Sequence, residues 1–122
     1  MDLQTRIGNL KTAVASIQPD QRQVLDELLS ACKEYAAVIF EFDIMRRMLV
    51  DGLLDQEERD SANKLAEQEE YARETLLESI VNVNQVCAAL GIASLTDSDS
   101  DCRRELTSEE MNLYRLLVMT GL

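Results

Sequence analysis

Apolar residues recur along most of the chain at alternating spacings of three and four, the signature of helices that bury one face. Leu3, Ile7, Leu10, Val14 and Ile17 open the sequence with that rhythm, and Asp2 stands where an N-cap belongs. The spacing predicts a first helix over about residues 2–17. Pro19-Asp20 then interrupts it, because proline lacks the N–H an interior turn needs yet suits the first turn of a new helix.

From residue 20 to about 51 the heptad is sustained. One seam runs through Val24, Leu28, Ala31, Tyr35, Val38, Phe42, Met45 and Leu49, and a second through Leu25, Leu29, Cys32, Ala36 and Ile39. Two adjacent seams imply a wide buried face and more than one neighbour. A helix of this span is roughly 48 Å long. Gly52 marks a bend, and Asp55 with Glu58 forms a capping-box pattern for a third helix over about residues 56–90. Its apolar line is Ala62, Leu65, Ala72, Leu76, Ile80, Val83, Cys87 and Leu90, and Gly91 is suited to end it with positive φ. Residues 92–106 read as a flexible acidic loop, since the Ser/Asp run from Thr96 to Asp101 offers nothing to a core. Thr107 and Glu110 then cap a last helix over about 108–120, with Met111, Tyr114, Leu117 and Val118 facing inward. The expectation is a single all-α domain: a bundle of about four helices built on a long antiparallel helical hairpin.

Composition agrees. Of 122 residues, 46% are hydrophobic but only 4% aromatic, and one Pro and four Gly leave few turn makers, so the core must be aliphatic and the elements long. A net charge of −11 argues against nucleic-acid binding, which requires cations to displace counterions from phosphate. Mimicry of nucleic acid by an acidic regulator is an alternative that charge alone raises. The opening residues lack the basic and apolar regions of a signal peptide, and the longest early apolar run, residues 36–40, is too short to span a bilayer. With Cys32, Cys87 and Cys102 widely spaced and no CxxC pair, a reducing, cytoplasmic setting and a compact protein of bacterial type are expected, with no membrane partner.

The two arms of the hairpin are unequally apolar near the bend. Residues 36–54 hold thirteen apolar side chains in nineteen positions, whereas residues 55–78 carry nine acids and three bases. A polar helix with a narrow apolar stripe cannot shield one that is apolar all round, and each large side chain left in water forgoes about 1.5–3 kcal/mol of burial. Phe40, Phe42, Ile44, Met45, Met48, Leu49, Leu53 and Leu54 therefore form a candidate oligomer or partner surface. Either the last helix, on its long tether, travels to the bend, or a second copy packs there as an isologous homodimer; we expect the homodimer. A groove for a helix of another protein partner is the further option, and methionines suit such an adaptable surface.

Catalytic patterns are missing. With no histidine, neither a Ser/Cys–His arrangement nor the Glu-x-x-His elements of a di-iron bundle can be assembled. The Glu-Glu-x-x-Glu ligand pattern of all-α nucleotide pyrophosphohydrolases fails at Ser61 after Glu57-Glu58 and at Arg73 after Glu69-Glu70. Glu67, Glu70, Glu74 and Glu78 share a face and leave a divalent-metal-dependent enzyme as the competing reading, against a solvated face with local ion pairs such as Glu69–Arg73. Asp97-x-Asp99-x-Asp101 copies the opening of a calcium loop, but Cys102 stands where glycine is wanted and Ser108 where the bidentate Glu belongs. Glu69 falls on the apolar line of its helix, so if buried it needs a partner, for which Arg46 across the hairpin is the expectation. No cofactor and no catalytic residue is assigned; the chain reads as a non-enzymatic helical interaction or structural protein.

Overall fold

Four helices carry the fold of this computed structural model: α1 (Leu3–Ala13), α2 (Pro19–Val50), α3 (Gln56–Ala89) and α4 (Ser108–Thr120), with a 3₁₀ turn at Val14–Ser16. The structure describes residues 2–50, 52, 55–97 and 101–122, the side chains of 49 and 50 aside, and no strand occurs among them. α2 and α3 form the antiparallel hairpin, turning at Gly52, whose φ of 67° favours glycine.

The helix ends obey the chemistry of their sequences. Asp2 accepts from the Thr5 N–H at 2.7 Å and Asp55 from the Glu58 N–H at 2.9 Å, so each carboxylate satisfies an amide that lacks an intrahelical partner. Pro19 opens α2, where its missing N–H costs nothing. At the end of α3, Gly91 takes φ of 73°, and the Ile92 N–H reaches back to the Cys87 carbonyl at 3.0 Å. The first helix is shorter than its spacing predicts, tightening to a 3₁₀ turn from Val14 as the chain prepares for Pro19.

All four helices meet in one aliphatic core. Ile7 and Leu10 of α1, Leu25, Leu28, Cys32 and Tyr35 of α2, Leu76, Ile80, Val83 and Cys87 of α3, and Leu113, Tyr114 and Leu117 of α4 are buried together. On α4 the inward face differs from expectation: Leu113 is fully buried while Val118 is 39% exposed, because the helix turns its 110–113–114–117 stripe to the core. The loop before α4 is also better anchored than its composition predicts. Leu95 is fully buried, and Asn84 clamps the backbone there, accepting from the Leu95 N–H at 2.9 Å and donating to the Thr96 carbonyl at 3.1 Å. Arg6 adds a tie from α1 to Glu109 at the start of α4, at 3.4 Å.

At that start, Thr107 and Glu110 complete the capping box in both directions. Glu110 is buried to 1% exposure and receives two bonds from the Arg104 guanidinium, at 2.6 and 2.8 Å. A buried carboxylate needs such compensation, and the forked geometry supplies it.

An uncovered surface at the hairpin bend

The shared core occupies only the half of the hairpin away from the bend. Among the described side chains of α2, every buried hydrophobic residue falls between Leu25 and Tyr35; after that, Ala36, Val38 and Ile39 pack only partly against the core. Neither short helix extends far beyond this level. α1 is tied through the Pro19 junction to the N-terminus of α2, and α4 contributes its core contacts through Leu113, Tyr114 and Leu117. Among the described residues, the last helix leaves Phe40 and Ile44 open.

What remains there is a two-helix arm. On its α3 side only Ala62 and Leu65 are buried before Ala72. On its α2 side Phe40 is 67% exposed and Ile44 44% exposed, and Tyr71 of α3 is 69% exposed. Phe42, Met45 and Met48 are half-buried. Of the residues expected to form the surface, Phe40 and Ile44 thus stand open and Phe42, Met45 and Met48 flank them, whereas the Leu49 side chain, Leu53 and Leu54 lie outside the described residues. Tyr71, on the acidic helix, is a further open side chain outside that expected set.

Phe40 and Ile44, with the exposed Ala37, make a ridge at helical spacing along the outside of α2. About a quarter turn around the same helix lies a groove between α2 and α3. The part away from the bend is lined by Val38, Tyr71 and Ala72 under Glu34 and Glu67, and the bend-side part by Ile44, Met45 and Leu65 under Glu41. Lys64 and Gln68 line both parts and make them continuous. The two parts hold about 530 Å³ and 430 Å³, room for several side chains.

Glu69 makes the local ion pair its spacing predicts, rather than one across the hairpin. Arg73, one turn on, approaches it to 3.3 Å, and the Tyr35 hydroxyl donates to it at 3.4 Å. Arg46 is exposed and is not its partner; a partner on the same helix spans one turn, whereas Arg46 would have to cross the hairpin. Burial and the neighbouring Glu69 charge push the Tyr35 hydroxyl up to about 12.

The carboxylates weighed as metal ligands do not converge. Glu67, Glu70 and Glu78 are exposed and Glu74 is half-exposed, and among the described residues no three acids or cysteines are grouped to hold an ion. In the calcium-like loop, Asp97 lies 4.0 Å from Arg6 and Asp101 accepts from the Arg103 N–H at 3.0 Å, while Asp99 lies outside the described residues. The three cysteines form no disulfide. Burial pushes the Cys32 thiol up to about 12 and raises Cys87 as well, the reverse of what a nucleophile requires. No helix of the described residues is long and apolar enough to cross a membrane. No family model, curated protein or solved structure matches the chain.

Proposed function

We propose that this chain is a non-enzymatic interaction protein of the cytoplasm, whose working surface is the bend half of the hairpin and whose first partner is a second copy of itself. The observation that carries the reading is the exposure of Phe40 and Ile44 one turn apart on α2, with Tyr71 also open on α3, among the described residues of the arm. Soluble monomers seldom leave such side chains contiguous in water, and each one buried contributes about 1.5–3 kcal/mol. Around a twofold axis the ridges of two copies meet, and two hairpin arms become a four-helix arrangement of the kind one chain already builds at its other end. The competing metal-enzyme reading has less support, because among the described residues no three acids or cysteines are grouped to hold an ion.

Light scattering on purified protein at micromolar concentration tests it. The wild type is expected to give about twice the chain mass of 13.8 kDa, and Phe40→Asp to return it to one chain mass with its helicity intact. A wild type that scatters as a single chain across the concentration range would overturn the dimer.

A further inference from the structure

The groove and the ridge differ in charge, and that difference separates their partners. The ridge positions Ala37, Phe40 and Ile44 continue at the same spacing into Lys33 and Arg47. The groove is rimmed by three carboxylates, Glu34 and Glu41 on α2 and Glu67 on α3, with Lys64 the one cation among its lining residues. Beneath that rim the floor is apolar: Val38, Ile44, Met45, Leu65, Tyr71 and Ala72. From Glu34 to Met45 it runs roughly 16 Å, or about three helical turns.

We infer that this groove binds an amphipathic helix of another protein, one whose apolar stripe is flanked by Lys or Arg. An apolar channel bounded by two antiparallel helices accepts a third helix through residues spaced three and four apart. The rim selects the charge of its flanks: basic side chains beside Glu34, Glu41 and Glu67 gain attraction, while acidic ones meet like charge. A second copy of a chain carrying −11 would bring its own carboxylate rim against this one, which disfavours self-docking here. The exposed Tyr71 supplies an aromatic wall and Met45 an adaptable one, both suited to a docked aliphatic side chain. Ile44 borders both the ridge and the bend-side part of the groove, so the two surfaces meet there, whereas Phe40 lines neither part of the groove. The inference shares the bend half with the proposed function and is separable from the dimer by experiment.

Two labelled synthetic helices of about 18 residues test it, identical in their leucine stripe but carrying lysines on both flanks in one and glutamates in the other. By fluorescence anisotropy against the wild-type protein, the lysine peptide is expected to bind in the micromolar range and to weaken as salt rises. The glutamate peptide is expected to bind at least about tenfold more weakly. The double substitution Glu34→Lys with Glu41→Lys, both exposed positions, should reduce or reverse that preference, with far-UV dichroism confirming the fold. Phe40→Asp should leave peptide binding in place even where it abolishes the dimer, so failure of one reading is distinguishable from failure of the other. Equal affinity for the two peptides, no binding of the lysine peptide at millimolar concentration, or loss of its binding with Phe40→Asp would each overturn the inference.

Discussion

The Tyr35 ring meets the Tyr114 ring edge-on, with centroids 5.0 Å apart and planes at 84°. That contact joins α2 to α4 and marks the last level at which a described side chain of α2 is buried; one turn further on, Ile39 is only partly covered, and Phe40 is open. The boundary between a four-helix core and a two-helix arm therefore runs through this pair. Tyr114→Ala removes a buried ring and is expected to cost about 3–5 kcal/mol in urea unfolding. Tyr35→Phe keeps the ring contact and forfeits only the bond to Glu69, about 1 kcal/mol. Equal costs for the two would deny the ring pair its structural role.

Arg104 and Glu110 supply a second, local anchor. Removing the cation leaves a carboxylate at 1% exposure without its forked partner, so Arg104→Ala is expected to destabilise by about 3–5 kcal/mol. Its neighbour Arg103 is exposed, and Arg103→Ala should fall within about 0.5 kcal/mol of wild type. Thermal unfolding of the two variants, side by side, checks the contrast.

The thiols should separate by burial. Cys102 is half-exposed, whereas Cys32 and Cys87 are buried with their thiols held protonated. A chromogenic disulfide reagent at pH 8 is expected to modify one thiol per chain rapidly in the native protein and three only after unfolding. Rapid reaction of all three would contradict the packing of α2 against α3.

Stability should fall on the alkaline side. Cys32 rises from an ordinary 9 to about 12 and Tyr35 from 10 to about 12 on folding, so the folded state favours both neutral forms. That contribution is complete below pH 9 and is lost as pH climbs through 12, the unfolded chain releasing its protons first. Urea midpoints taken at pH 8, 9, 10 and 11 should hold at first and then decline. A midpoint unchanged at pH 11 would count against the burial of both groups.

The sequence made the helices legible because their signals are local. Asp2, Pro19, Asp55, Gly91 and Thr107 each satisfy or terminate a backbone within one turn, so the ends of α2, α3 and α4 lie within about a residue of their expected places. The unequal apolarity of the two hairpin arms was legible too, since it is a comparison of composition. Pairings between elements were not. Nothing in a Ser/Asp-rich loop announces that Leu95 enters the core or that Arg104 will fork onto Glu110, because both depend on where α3 and α4 bring the chain. Glu69 was readable as a residue needing a partner, but Tyr35 became its donor only through the register of α2 on α3. On α4, helical spacing alone fits neighbouring stripes nearly as well, and packing chose Leu113 over Val118.

Hydrogen exchange at two protein concentrations tests the central claim most directly, comparing amides of residues 36–50 with those of residues 72–87 in the four-helix core. Amides on an arm that its own chain leaves open should exchange faster than the core in dilute protein, then gain protection as concentration rises and second copies cover it. Protection of residues 36–50 that matches the core and ignores concentration would contradict the account.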